Sequence, residues 1–101
     1  MPYVYANVKV KYGQLPAFYE QMATIKRVME EHGWKLVGAW STLIGDIHEV
    51  HDLWEVEDAN TVPNGFAAAY EHPEFVQASA QLSTIADREV LSLVTKTPYS
   101  P

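Results

Sequence analysis

The segment His48-Glu-Val-His-Asp-Leu-Trp54 brings imidazoles, carboxylates and an indole into one short run. Its alternation of apolar and polar residues is that of a strand, and on a strand successive side chains point to opposite faces. His48 and His51, three apart, therefore fall on opposite faces and cannot easily share one metal ion, so no metal site is expected. Haem ligation would leave His48 as its only axial candidate and is not expected either. Asp52 shares its face with Val50, Trp54 and Val56. An acid in that company is costly to desolvate unless it is paired, hydrogen-bonded or opened to a cavity, and desolvation of this kind raises a carboxyl pKa toward the range useful for a general base. Asp52 is the first candidate base and His48, on the same face, the second. No glycine loop for phosphate and no Ser-His-Asp arrangement is present, and no cofactor is expected.

The partners of these residues follow from hairpin geometry. Trp34 to Leu43 reads as a strand running into Gly45-Asp46, a turn pair, so positions symmetric about that turn face each other. His48 is then expected opposite Leu43, Val50 opposite Ser41, Asp52 opposite Ala39 and Trp54 opposite Val37. On the other face Glu49 pairs with Thr42, His51 with Trp40, Leu53 with Gly38 and Glu55 with Leu36. Ala39 and Ser41 are small and leave room beside Asp52. The expectation is a pocket under the helices lined by Ala39, Ser41, His48, Asp52 and Trp54, with Tyr70 also shaping it. The competing reading has Asp52 satisfied by a core tyrosine hydroxyl or a helix-borne Lys or Arg.

The opposite face carries Tyr3, Tyr5, Asn7, Trp40, His51 and Leu53 beside Glu49 and Glu55. It is too aromatic for a solvated surface and too polar for a sealed core. Packing of two such faces, one from each of two subunits, accounts for the mixture and predicts a homodimer.

The elements that position these groups are readable in order. Val4, Ala6, Val8 and Val10 alternate with polar and tyrosine neighbours over a strand from 3 to 11. Leu15, Phe18, Met22, Ile25 and Met29 recur at steps of three and four, which predicts a helix over 15–32 with Pro16 in its first turn and Gly33 past its end. Glu20, Lys26, Arg27, Glu30 and Glu31 fall mostly on its solvated side. The hairpin strands are expected at 34–43 and 48–57. A helical piece over 66–71 is then interrupted at His72-Pro73, and Pro73 opens a second piece carrying Phe75, Ala78, Leu82 and Ile85. A last strand covers 88–95, and 96–101 is a tail. The order β-α-β-β-α-β with an antiparallel four-stranded sheet is the ferredoxin-like α+β fold, with the first and third strands central.

Composition limits the alternatives. A chain of 101 residues is one domain, and with 48% apolar residues it has a core to build and an excess to cover with a partner. A net charge of −6 argues against nucleic acid, which requires a cationic footprint. There is no cysteine, which removes disulfides and thiolate chemistry. No run reaches the ~20 apolar residues of a membrane span, and the N-terminal residues have no basic, apolar leader pattern; a cytoplasmic protein is expected.

The chain resembles the NIPSNAP family, within the broader group of dimeric α+β barrels. The resemblance rests on the tyrosine-rich first strand, Gly13 before the helix, Leu36-Val-Gly-Ala-Trp-Ser-Thr-Leu-Ile-Gly45, Val50-His-Asp-Leu-Trp54 before an acidic break, and Pro73-Glu-Phe75. It departs where the family's Glu-Leu-Arg is Ala6-Asn7-Val8, where Leu-Asn-Gln is Ile47-His48-Glu49, and where the usual histidine two before the tryptophan is Asp52. The family has no single established reaction, so the resemblance implies a fold and a dimer more than a chemistry. Relatives in the wider barrel group include cofactor-free monooxygenases, chlorite-processing haem proteins and polyketide cyclases. Tyr70-Glu-His-Pro-Glu-Phe75 partly matches a cyclase pattern, but Phe75 or Val76 stands near the place of its catalytic histidine, so that chemistry is not implied. His72 reads as a helix-boundary residue. Two functions follow as expectations: a homodimeric barrel that binds a small, largely apolar molecule, or a cofactor-independent enzyme of isomerase, cyclase or monooxygenase type acting on one. A barrel filled by its own side chains, acting through its surface, is the third.

Overall fold

Strand β1 (Tyr3–Val10) is buried at every second residue, with Val4, Ala6, Val8 and Val10 under the helices and Tyr3, Tyr5, Asn7 and Lys9 on the other side. The remaining elements of the computed structural model, which describes residues 1–101, are α1 (Leu15–Glu30), β2 (Lys35–Ser41), β3 (Glu49–Glu55), α2 (Thr61–Ala69), α3 (Pro73–Ile85) and β4 (Ala86–Val94). The sheet order is β2-β3-β1-β4 with antiparallel neighbours, the ferredoxin-like α+β fold with β1 and β3 central. No helix is long and apolar enough to cross a membrane.

The element ends have local causes. Gly33, with φ of 90°, ends α1 in the left-handed backbone that a side chain resists, and Trp34 N–H returns to the Met29 carbonyl at 3.2 Å. Helix α2 begins five residues earlier than expected because Asp58 Oδ1 accepts from both the backbone N–H (3.1 Å) and the hydroxyl (3.3 Å) of Thr61, while Pro63 falls in the first turn where a missing N–H costs nothing. The break at His72-Pro73 is as expected: His72 is extended, with φ −90° and ψ 119°, and α3 starts at Pro73.

Across the hairpin Ala39 faces Asp52, Trp40 faces His51, Ser41 faces Val50 and Gly38 faces Leu53, as expected. The register then slips. An extra residue at Val37 forms a bulge, so Leu36, not Val37, lies opposite Trp54, and Lys35, not Leu36, lies opposite Glu55. Leu36 thereby packs on the core while Val37 is exposed. The indole of Trp40 folds back over Gly38, where a Cβ would lie 2.5 Å from its ring. The strands also end earlier than expected, leaving residues 42–48 as a loop tied by Asp46, which accepts from the Lys9 ammonium and from the His48 backbone N–H.

The core lies between the helices and the two central strands. One cluster joins Val4, Trp54 and Val56 to Ile25, Val28 and Met29 of α1, Ala69 of α2, and Phe75 and Ala78 of α3. A second joins Val8, Val10 and Val50 to Phe18 and Ile85. Burying each large side chain contributes roughly 1.5–3 kcal/mol. The edge strands β2 and β4 are far less covered.

Candidate functional site

Between sheet and helices lie two partly open cavities, of about 350 and 360 Å³, that adjoin at Met22 and Asp52. The first is walled by Trp54 on β3, Ala6 and Val8 on β1, Met22, Ile25 and Met29 on α1, Phe66 of α2, Phe75 and Leu82 of α3, with Trp34 and Tyr70 beside them. The second runs toward the β2 edge, between Phe18, Tyr19, Ala23 and Lys26 of α1 and Leu36, Ala39, Trp40 and Ser41 of β2.

The aromatic wall is held by contacts among its own members. Trp34 packs edge-on against Trp54 and Phe66 at centroid distances of 5.7 and 5.1 Å, and Tyr70 packs edge-on against Phe75 at 5.1 Å. The Trp34 indole N–H donates to the Thr61 carbonyl at 3.1 Å. This approach requires Gly65, because a Cβ there would sit 2.4 Å from Trp34 Nε1.

Asp52 is the only charged residue in the buried set, at 4% exposure. Its carboxylate makes neither a salt bridge nor a side-chain hydrogen bond, so the tyrosine or Lys/Arg partner considered from sequence does not exist. Ala6, its partner on β1, and Ala39, its partner on β2, give it space. Burial pushes its pKa up to about 6, the negative charge of Glu89 adds to the rise, and His51 opposes it. Glu89 lines the same cavity. Although the residue reaches solvent at the cavity mouth, the protein surrounds its carboxyl enough for desolvation to raise that pKa as well. A carboxyl near 6 exchanges protons readily at neutral pH, and in its neutral form it donates a hydrogen bond. The site can therefore enclose an apolar body and exchange a proton with one polar group on it.

The sequence-expected residues separate into three places. Asp52, Trp54 and Tyr70 line the first cavity, and Asp52, Ala39 and Ser41 the second. His48 lines neither: it sits in the hairpin loop beside the exposed ring of Tyr12, at 5.2 Å, because β3 begins only at Glu49. Trp34, Phe66, Phe75 and Glu89 were missed. Glu89 had a signal, since it shares strand parity with Leu91 and Leu93 and so interrupts an apolar face just as Asp52 does.

Tyr3, Tyr5, Asn7, Trp40, His51 and Leu53 occupy the face of the sheet away from the helices, with Trp40 on the edge strand β2 also bordering the second cavity. Three of them, Tyr5, Asn7 and His51, belong to a hydrogen-bond chain that crosses the sheet. Arg88 of β4 donates to Glu49 Oε1 (2.6 Å) and Asn7 Oδ1 (3.1 Å), which turns the Asn7 amide nitrogen toward His51 Nδ1 at 3.3 Å. Tyr5 Oη lies 2.5 Å from the same nitrogen. Thr42 uses its one hydroxyl proton on the Glu49 carbonyl (2.9 Å), so His51 Nε2, at 2.9 Å, is the donor to Thr42 Oγ1, and in the neutral form of the ring Nδ1 accepts from Tyr5 and Asn7.

Comparison with known proteins agrees with this architecture. A crystal structure of a NIPSNAP family protein of unknown function from Agrobacterium tumefaciens superposes with a TM-score of 0.86 at 18% identity, covering 100% of this chain and 92% of that one. An uncharacterized NIPSNAP domain protein from Burkholderia xenovorans gives 0.84 at 13% identity, covering 100% and 99%. An antibiotic biosynthesis monooxygenase gives 0.76 at 11% identity, covering 97% and 100%. At these identities the likeness is one of fold. Among curated protein sequences none matches this chain significantly. The sequence model of the NIPSNAP family matches residues 3–101, and the chain belongs to the NIPSNAP family.

Proposed function

We propose that this protein is a homodimeric barrel whose subunit cavity binds a small, largely apolar molecule carrying one polar group that meets Asp52. The observation that carries the reading is a buried Asp52, without a salt bridge or side-chain hydrogen bond, in a largely apolar and aromatic cavity of about 350 Å³ whose other polar groups, Ser79, Ser83, Asp87, Arg88 and Glu89, come from α3 and β4. An acid with no structural partner costs stability at neutral pH, and a ligand-facing role accounts for its being there. The dimer is supported by the outer sheet face, where Trp40, Val90 and Val94 remain substantially exposed beside Tyr5 and Leu53.

Native mass spectrometry of the protein as purified tests both parts. A dimer carrying extra mass, with that mass reduced in Asp52→Asn, supports the reading. A bare monomer overturns it.

A second reading, a cofactor-independent isomerase, cyclase or monooxygenase, is favoured by the elevated Asp52 pKa, which suits proton abstraction from carbon beside a carbonyl. The monooxygenase with this fold lends it a precedent of architecture only. Turnover of the co-purifying molecule, lost in Asp52→Asn without loss of its binding, decides for it.

A further inference from the structure

His32 and His72 lie outside the cavities and meet through tertiary packing alone. His32 follows the end of α1 and His72 is the N-cap of α3, and their Nε2 atoms are 2.9 Å apart. The rings are inclined by 64° with centroids at 5.1 Å, so they approach nitrogen to nitrogen and do not stack face to face. Glu31 Oε2 is 3.9 Å from His72 Nε2, and one ligand atom from each of Glu31, His32 and His72 falls within 4.8 Å of the others. On the far side of His72, Nδ1 lies 3.4 Å from Glu74 Oε1, and Arg27 Nη1 is 3.7 Å from that same oxygen and 4.0 Å from Glu31 Oε1.

These positions set the protons. With His72 Nδ1–H directed at Glu74, its Nε2 lone pair faces His32 and one proton bridges the two rings. In the tautomer that carries the His32 proton on Nδ1, two imidazole lone pairs and a carboxylate converge on one point. A carboxylate behind the distal nitrogen of a ligating histidine is the usual support for such a ring.

We propose that Glu31, His32 and His72 form a binding site for a borderline divalent transition-metal ion of the zinc class, with Glu74 as the residue that positions His72. The donor set of imidazoles and a carboxylate suits such ions. Metal–nitrogen bonds of about 2.0–2.1 Å in a tetrahedron place the nitrogens about 3.3 Å apart, so the rings part by a few tenths of an ångström, and the half-exposed Glu31, 3.9 Å from His72 Nε2, swings in by about 1 Å. Three protein ligands leave a fourth position for water. The site lies directly behind the cavity wall, since Trp34 is two residues after His32 and Tyr70 two before His72. A bound ion clamps the end of α1 to the turn between α2 and α3 and stiffens that wall.

The test is titration of tag-free, chelator-treated protein with Zn²⁺ by calorimetry, with Co²⁺ absorption as a report of coordination. The wild type is expected to take one equivalent per chain and to rise in Tm on zinc addition. His32→Gln and His72→Gln each weaken binding at least tenfold, Glu74→Gln weakens it about tenfold, and His48→Gln leaves it unchanged. Imidazole ¹⁵N spectra of the wild type provide a reading independent of any variant's folding, with zinc shifting Nε2 of His32 and His72. No saturable binding, binding undiminished in both histidine variants, or shifts confined to His48 and His51 overturns the proposal.

Discussion

Asp52 on β3 and Glu89 on β4 enter the same cavity from either side of β1, their register partners Ala6 and Val8 being two residues apart on that strand. Each disfavours the charge of the other, but for Asp52 burial is the larger cause of the raised pKa and Glu89 the smaller. Glu89→Gln is therefore expected to lower the Asp52 pKa from about 6 while leaving it above the ordinary 3.8. Carboxyl ¹³C titration of Asp52 in the two proteins measures this. An unchanged midpoint removes the coupling, and a fall all the way to 3.8 removes burial as its main cause.

The same shift makes stability depend on pH in a definite sense. Asp52 holds its proton more tightly in the folded chain than in the unfolded one, so the folded state binds more protons between pH 3.8 and about 6 and stability falls as pH rises through that window. The cost above it is up to about 3 kcal/mol, from roughly 1.36 kcal/mol per pKa unit. Asp52→Asn removes the ionisation and should be more stable than wild type by up to that amount at pH 8, with the difference vanishing toward pH 4. Urea unfolding at the two pH values gives the comparison; an Asn variant less stable at pH 8 would mean that the ionised carboxylate has an internal partner.

How much of this was legible in the sequence depends on where the information sits. The pairing of Ala39 with Asp52 and Trp40 with His51 follows from alternation and from the symmetry of the loop about Gly45-Asp46, both local properties. The bulge at Val37 leaves alternation intact on either side, and only Gly38, kept bare for the Trp40 ring, hints at it. His48 was assigned to the pocket by extending β3 one residue too far; the Lys9 and His48 contacts to Asp46 that end the pairing come from outside the hairpin pattern or from its loop. Glu89 was as legible as Asp52 by the same argument of an acid on an apolar strand face. The meeting of His32 with His72 was not, because it depends on how the end of α1 lands against the α2–α3 turn.

Gly65 tests the aromatic wall. An alanine in its place gains helix propensity of about 1 kcal/mol, but its Cβ would overlap Trp34 Nε1 at 2.4 Å and Cδ1 at 2.8 Å. Trp34 is 3% exposed and bonded to Thr61, so it has no free direction in which to move. Overpacking at such a site costs about 1–3 kcal/mol, and Gly65→Ala is expected to lower Tm on balance and to alter the Trp34 fluorescence. A neutral or raised Tm with unchanged fluorescence would mean that the indole is not held against α2.

Leu53 tests the proposed dimer. It lies on β3 facing away from the helices, between Tyr5 on β1 and Gly38 on β2, near the centre of the outer sheet face. Leu53→Lys removes nothing from the core under the helices, so the subunit should fold with an unchanged circular dichroism spectrum. In a dimer formed through this face, however, the symmetry brings two copies of the new ammonium into the buried contact without a partner. An uncompensated buried charge costs about 3–5 kcal/mol, which at 1.4 kcal/mol per decade weakens association by roughly a hundredfold or more. Light scattering at micromolar concentration should then find a dimer for the wild type and a monomer for Leu53→Lys. Val76→Lys, on the exposed side of α3, is the control and should remain dimeric. If Val76→Lys dissociates and Leu53→Lys does not, the subunits associate through their helices and the outer sheet face needs another explanation.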